Sequence, residues 1–238
     1  MEEFAMRKLA LAALLVIAAT PAFSISEKPY MTPNEIDFAT LIPPPPSETS
    51  PLGKLDDQFI LDAQKNMTPQ KMADIQRDFA QDVFVVGQPV LGVNFNKEKL
   101  PMTAAFFAKV IKEAGVGVGP LKQKYKKLRP FQYDKNIHTP ENIAKASMGP
   151  TYPSGHSTTG AISAILLSQM VPEKRDALYE RGWEYGTNRV MSGAAYPSDW
   201  DAAHMIAELA VFQMEKNPDF QADFQAVKAE VRKGMGLN

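Results

Sequence analysis

The chain has 238 residues, of which 45% are hydrophobic, and a formal net charge of -1 at pH 7. This is enough chain for one domain with a sizeable core, and the charge gives no electrostatic case for a nucleic-acid partner. The absence of cysteine excludes disulfides, thiolate nucleophiles and cysteine-ligated metals. The three histidines show no zinc-binding spacing, so neither a metal nor another cofactor is expected.

The N-terminus predicts a secretory signal peptide over residues 1–24, with residues 1–5 as a candidate upstream extension. Arg7 and Lys8 form a charged region, and an apolar run from Leu9 to Ala19 is followed by small residues that suit cleavage. The run is too short for a stable membrane anchor, although an N-terminal anchor or a buried helix is the alternative interpretation. We therefore expect a periplasmic or secreted protein without stable membrane insertion.

Residues 25–50 are expected to form an extended, proline-rich arm. Residues 43–46 are four consecutive prolines, which cannot be helical because proline lacks the N–H group and restricts the residue before it. Either a plain linker or an arm that packs over the core fits this composition.

From residue 51 the apolar residues recur at helical spacing, without the alternation typical of strands, internal repeats or a glycine-rich phosphate loop. Thr68 and Pro69 suit a helix start, while Gly115 and Gly234 suit helix ends. We predict a single helical domain over residues 51–238, with the fold class all-α, a helical bundle.

Three later helices matter for the chemistry. Residues 157–170 are rich in small side chains and predict a buried helix. A further helix is expected to begin at Pro172, and Asp199 or a neighbour is expected to cap the next one.

Three short segments around these helices form a pattern that suits phosphate chemistry. The first holds Lys122 and Arg129, the second reads Pro153-Ser154-Gly155-His156, and the third holds Arg189 and Asp199. Phosphoryl transfer depends mainly on positioning and on stabilising charge over the phosphoryl oxygens. Arginine suits this task because its planar guanidinium donates two parallel hydrogen bonds.

The second segment combines an anion site with a candidate acid. Ser154 and Gly155 precede a predicted helix, whose exposed N–H groups favour an anion. His156 would lie beside that anion and could protonate a leaving alkoxide. We expect the phosphate to raise the pKa of His156, which favours mild acid as the working range.

Asp199 suggests a histidine partner that the chain lacks. A carboxylate in such a site usually orients a histidine, and on a helical path positions 195 and 199 share a face. Position 195 is alanine. Each segment alone has a simpler interpretation as a solvated basic face, a turn or a helix cap; their order and spacing together favour the phosphate site.

The three-part pattern resembles the signature of the type 2 phosphatidic acid phosphatase superfamily, which includes the vanadium haloperoxidases. Within that superfamily the chain is similar to the bacterial class A non-specific acid phosphatases over roughly residues 37–215, including the proline run. The resemblance implies a helical bundle of the acid phosphatase/vanadium haloperoxidase type. It also implies an exported acid phosphatase that hydrolyses phosphomonoesters through a phosphohistidine intermediate, with a homo-oligomer as a candidate assembly.

The resemblance also implies roles for single residues. His156 would be the general acid, and a histidine at position 195, oriented by Asp199, would attack phosphorus. Asn188 replaces the serine of many members, a tolerable change. The residues implied to bind the phosphomonoester or inorganic phosphate are Lys122, Arg129, Ser154, Gly155, His156 and Arg189.

Ala195 departs from the family pattern at the nucleophile. Loss of the nucleophile removes about 10⁶-fold in rate in a well-studied hydrolase, so we expect this chain to bind phosphate with little turnover. Whether the alanine is engineered or natural stays open, as do two other functions: a non-catalytic phosphate-binding protein and a vanadate-dependent peroxidase relative. The natural substrate also stays open.

Overall fold

The computed structural model describes residues 24–237. The predicted signal peptide, apart from Ser24, lies outside the described residues, as does the predicted extension at residues 1–5. The described part of the chain is helical and contains no strand, which confirms the predicted all-α class. Its elements are α1 (Phe38–Leu41), α2 (Pro51–Lys65), α3 (Pro69–Arg77), α4 (Val83–Leu91), α5 (Pro101–Tyr125), α6 (Pro130–Tyr133), α7 (Glu141–Ala146), α8 (Gly155–Met170), a 3-10 turn (Pro172–Lys174), α9 (Arg175–Met191), α10 (Pro197–Met214) and α11 (Pro218–Gly234).

The segment before α2 packs on the helices. Tyr30, Phe38 and Ile42 are buried in the main core. The Glu113 carboxylate of α5 accepts hydrogen bonds from the backbone N–H groups of Tyr30 and Met31, at 2.9 and 3.1 Å. Of the two arrangements that suited the composition, the structure therefore has the packed arm and not a free linker.

Most helix starts follow local chemistry. Thr68 caps α3 by accepting a hydrogen bond from the Lys71 N–H group at 3.1 Å, with Pro69 in the first turn. The predicted end of α11 at Gly234 is also confirmed.

Two predicted boundaries were wrong. Gly115 does not end α5, which continues to Tyr125 because its buried residues on both sides of the glycine pack into the core. Pro172 begins a three-residue 3-10 turn, and α9 follows from Arg175.

Helix α8 is the centre of the bundle and is buried on nearly all sides. It lies directly against α9, since a Cβ atom on Gly182 would stand 2.5 Å from the Ala164 Cβ, and one on Gly160 would stand 2.7 Å from the Tyr185 ring. Only glycine permits so close an approach. The contact brings the start of α8 beside the later turns of α9, where two of the three motif segments lie.

None of the helices in the described range 24–237 has both the length and the apolar character needed to cross a lipid bilayer.

Candidate active site

The first motif segment lies at the end of α5 and the start of α6. Its two cations both donate hydrogen bonds to the loop at residues 149–151. The ammonium group of Lys122 donates to the carbonyl oxygens of Pro150 and Thr151, at 2.6 and 2.7 Å. The guanidinium of Arg129 donates to the carbonyls of Gly149 at 2.9 Å and Ala194 at 2.6 Å. Arg129 therefore ties the first segment to the loop that precedes α10.

Ser154 begins the second segment and caps α8. Its Oγ accepts hydrogen bonds from the Ser157 N–H group at 3.1 Å and from the Ser157 hydroxyl at 2.9 Å. These bonds leave the Ser154 O–H free to donate to a ligand. The Ser154 N–H group donates to the Asp199 carbonyl at 3.1 Å, which joins the second segment to the third.

Gly155 is the first residue of α8. A Cβ atom there would meet only Val118, at an ordinary contact distance of 3.7 Å. The protein's own packing therefore does not require glycine at this position. Close approach of an anion to the backbone, as expected from the sequence, remains a prediction.

His156 is buried with 5% of its surface exposed. Its ring lies parallel to the Tyr185 ring with the centroids 4.1 Å apart, and its Nδ1 has no hydrogen-bond partner among the described residues. Burial, aided by Arg189 and Arg181, holds the pKa of His156 well below its ordinary value. The expected rise of this pKa concerns the complex with phosphate and stays a prediction.

Arg189 lies in the last turn of α9 and donates to the Ser147 hydroxyl at 2.5 Å. Burial, with the nearby charge of Arg129, lowers the pKa of Arg189 to about 10. Burial likewise lowers the pKa of Lys122 to about 7, with smaller contributions from Arg129 and Arg189. The fold thus brings the three predicted cations within range of one another's charge.

The third segment differs from the sequence-based expectation. Ala195 is not helical, because α10 begins at Pro197 after the cap residue Tyr196. Nor does Asp199 occupy the cap position itself. It lies in the first turn, and its Oδ2 reaches back to accept from the Tyr196 N–H group at 2.8 Å and from the Thr151 hydroxyl.

Asp199 and Ala195 are both buried, at 0% and 1% exposure. The Thr151 hydroxyl that contacts Asp199 also lies 3.5 Å from the Ala194 carbonyl, so position 195 adjoins the carboxyl group. Asp199 Oδ1 has no hydrogen-bond partner among the described residues. Burial raises the pKa of Asp199. Burying a carboxylate oxygen without a donor costs folding free energy. The arrangement is the one expected of a carboxylate that would orient a histidine at position 195, where this chain has alanine.

The structure also brings in residues that the motif did not predict. Asn188, expected to be a tolerable replacement, is 1% exposed and donates to Asp78 at 2.7 Å. No local spacing signals this contact, since the two residues are 110 positions apart. The other unpredicted neighbours of the site are Lys127, Ser147, Thr151, Arg181 and Tyr185.

The remaining histidines do not join the site. His204 is turned toward its own helix, with Nδ1 3.0 Å from the Trp200 carbonyl. His138 is exposed in the segment between α6 and α7.

Comparison with known proteins agrees with the geometry. The family model described as PAP2 superfamily matches residues 102–215, which include all three motif segments. The chain is 31% identical over 229 residues to a non-specific acid phosphatase of Providencia stuartii, covering 91% of each protein. It is 28% identical over 224 residues to a non-specific acid phosphatase of Salmonella typhi, covering 92% of this chain and 90% of that protein.

An acid phosphatase of Zymomonas mobilis is 28% identical over 199 residues, covering 80% of this chain and 74% of that protein. The Providencia and Salmonella matches extend over nearly the whole chain, and the motif residues lie near one another in the structure. The chain therefore belongs to the PAP2 superfamily and, within it, to the family of the bacterial non-specific acid phosphatases.

Proposed function

We propose that the protein is an exported acid phosphatase that binds phosphomonoesters, and that its turnover is lost with the nucleophile at position 195. The names of the relatives support phosphatase chemistry for the family. The proposed loss of turnover rests on the alanine at position 195 of this chain.

One observation carries the proposal. Asp199 has a buried oxygen without a donor, its other oxygen accepts from the N–H group that follows Ala195, and Lys122 lies within range of the charges of Asp199, Arg129 and Arg189. A histidine at position 195 would donate one ring N–H to that oxygen and direct its other nitrogen toward a bound phosphate. Removing the imidazole leaves the charged cradle in place and closes the covalent route.

The remaining residues suit the other parts of the reaction. Lys122, Arg129 and Arg189, together with the N–H groups at the start of α8, would bind the phosphoryl oxygens. His156 would give its proton to the oxygen of the departing alcohol as the phosphorus–oxygen bond breaks. With a histidine at 195, a phosphorus–nitrogen bond would form in that step, and water would then cleave it to release inorganic phosphate.

The decisive experiment restores the nucleophile. We expect Ala195→His to hydrolyse p-nitrophenyl phosphate with a rate about 10⁶-fold above that of the parent chain. The rate should rise as the pH falls below 7, because Lys122, whose pKa is lowered to about 7, becomes increasingly protonated there and His156 has to carry a proton. Steady-state kinetics between pH 4 and 8 measure both.

A matched control carries Ala195→His together with Asp199→Asn, which keeps the shape of the side chain but removes its charge. We expect this protein to lose most of the restored rate, because the new histidine is no longer held in the correct tautomer. A restored protein without phosphatase activity would contradict the proposal. Phosphate-dependent thermal stabilisation without activity would then indicate a non-catalytic binding protein. Vanadate-dependent peroxidase activity instead would indicate a haloperoxidase relative.

Export is the second part of the proposal and rests on the charged and apolar N-terminal segment. N-terminal sequencing of the protein recovered from the periplasmic fraction should show a start close to Ala22 or Ser24. Recovery of the intact N-terminus in the cytoplasmic fraction would contradict it.

A further inference from the structure

Behind the candidate site lies a buried ion pair that the phosphatase motif does not include. Asp78 and Arg181 are 1% and 4% exposed, and Arg181 Nη2 donates to Asp78 Oδ1 at 2.5 Å. Arg77 Nε donates to the same oxygen at 3.0 Å. Burying two charges costs so much desolvation free energy that such pairs contribute little net stability. A gain in stability therefore does not account for the presence of this buried pair.

The other oxygen of Asp78 holds the helix that carries a motif arginine. Asp78 Oδ2 accepts from Asn188 Nδ2 at 2.7 Å, and Asn188 directly precedes Arg189. Arg181 and Asn188 are separated by two turns of α9, so one face of this helix presents both to Asp78. The carboxylate, at the end of α3, thus fixes α9 at two points.

Arg181 also contacts Tyr185, whose ring stacks on His156, the predicted general acid. Its guanidinium carbon lies 5.7 Å from the centre of the Tyr185 ring. His156 is stacked on the same ring with the centroids 4.1 Å apart, and the Tyr185 hydroxyl donates to the Ala80 carbonyl at 2.6 Å. Asp78, His156, Asn188 and Arg189 all line one small cavity.

The charges around His156 follow from this arrangement. Arg189 and Arg181 of α9 both lower the pKa of His156. Tyr185 contacts both the His156 ring and the Arg181 guanidinium. That guanidinium pairs with Asp78 at the end of α3, at 2.5 Å, and with Glu184 of α9, at 3.3 Å. Removing either member of the pair changes the field at His156, and the two changes have opposite signs.

We propose that Asp78 is a positioning residue of the phosphatase site, which through Arg181 and Asn188 holds the Tyr185–His156 stack and Arg189 in place. The inference rests on the proposed function for its catalytic consequence. Its geometric and electrostatic consequences are measurable in the Ala195 chain without any turnover.

The first measurement is an NMR titration of His156 in the Ala195 chain, which holds three histidines in all. Asp78→Asn removes the nearer of the two carboxylates that pair with Arg181, since Glu184 remains at 3.3 Å. It should therefore lower the His156 pKa, whereas Arg181→Met should raise it, each by about one unit. The double variant Asp78→Asn with Arg181→Met should titrate close to the parent. Shifts of the same sign in both single variants, or no shift in either, would overturn the proposal.

The double variant also covers the case in which Asp78→Asn does not fold. Removing one member of a buried ion pair is strongly destabilising, but replacing both members is often neutral. Arg181→Met and the double variant then supply the test: the first shifts the His156 titration upward and the second returns it. An Arg181→Met shift that the double variant does not reverse would refute the role of Asp78.

The second measurement uses the Ala195→His protein. Asp78→Asn should lower kcat about 100-fold, because the acid and Arg189 are displaced from the phosphoryl group. The matched control is Asp74→Asn, on the same helix, which removes the surface partner of Arg77 at 2.8 Å but does not touch Arg181. Failure of Ala195→His itself to hydrolyse phosphomonoesters would refute the proposed function and leave the titration as the test of this inference.

Discussion

Lys122 is buried beside three charged side chains, so the pKa of its ammonium group depends on its neighbours in the site. Two of its N–H donors are used by the Pro150 and Thr151 carbonyls. Burial and the positive charge of Arg129 and Arg189 disfavour its charged form, while Asp199 favours it, and the pKa is lowered to about 7. An added anion would favour the charged form.

The expected result is that anion binding weakens as pH rises through about 7. Above that pH, binding requires Lys122 to take up a proton, so affinity should fall up to about 10-fold per pH unit. Sulfate is the suitable probe, because its own charge does not change in this range, and calorimetry between pH 5.5 and 8.5 measures its affinity.

Lys122→Arg provides the control for this titration. Its guanidinium stays charged throughout the range, so sulfate affinity should be nearly constant from pH 6 upward. Any slope that remains in this variant reports His156, whose pKa the bound anion is expected to raise from its low value in the free protein. An equally steep fall in the arginine variant would show that another group is responsible.

At the scale of residues, short spacings in the sequence indicated which positions lie together, and the roles of these residues in binding and catalysis stay predictions. Lys122, Arg129, Ser154, His156, Arg189 and Asp199 do meet in the structure. Asp78 could not be found in this way, because its partner Arg181 lies 103 residues away. The basic run was also ambiguous: Lys127 is buried against Tyr196, while Lys124 and Lys126 are exposed.

At the scale of elements, a helix boundary could be predicted where it depends on neighbouring atoms, and less well where it depends on distant packing. A cap such as Thr68 with Pro69 is decided by atoms within one turn. The continuation of α5 through Gly115 is decided by distant packing, since glycine costs a helix only about 1 kcal/mol. The helical path assumed between positions 195 and 199 does not hold at Ala195, because the geometry of the loop from Ser192 to Tyr196 depends on contacts to Arg129 and to the segment around His138.

Gly193 gives that loop its shape. Its φ of 75° is a left-handed conformation, and a Cβ atom would stand 2.7 Å from the His138 carbonyl and from the Thr139 hydroxyl. We expect Gly193→Ala to destabilise the fold by about 1–3 kcal/mol and to weaken phosphate binding, because the neighbouring Ala194 carbonyl would move away from Arg129. Urea unfolding and calorimetry measure the two effects.

Gly92→Ala is the control that separates the two effects expected at Gly193, the strain of a positive φ and the steric clash of an added Cβ atom. Gly92 has a φ of 86°, but a Cβ atom there meets nothing within 4 Å. This variant should show only the cost of the left-handed conformation and bind phosphate like the parent. Equal phosphate affinity of the Gly193 and Gly92 variants would contradict the role given to the loop.

At the scale of the whole molecule, the arm before α2 connects the far end of the bundle to the site. Tyr30 is buried among Phe106 and Phe220, and its hydroxyl donates to Asp223 of α11 at 2.5 Å. Further along, the Pro43 carbonyl accepts from the Tyr152 hydroxyl at 2.5 Å, and the Pro46 carbonyl accepts from Lys127 at 3.0 Å. The proline run predicted an extended backbone but not these partners, which are distant in the chain.

Tyr30→Ala should therefore cost about 3–5 kcal/mol of unfolding free energy, the usual effect of removing a buried aromatic ring. Tyr133→Ala, at a position with 45% exposure, should change stability by less than about 1 kcal/mol. Urea unfolding followed by circular dichroism compares the two. Similar midpoints for both variants would show that the arm contributes no stability.

The carbonyl oxygens that hold Lys122 and Arg129 have a consequence for the entropy of ligand binding. Long cationic side chains at a protein surface lose rotational freedom when they close on an anion, at about 0.5–1.5 kcal/mol each. Here both side chains are already immobilised by the loop around Pro150 and by Ala194. The side chains therefore lose this rotational entropy during folding. A phosphoryl group that binds later contacts donors that are already rigid, and the entropy loss does not reduce its binding free energy.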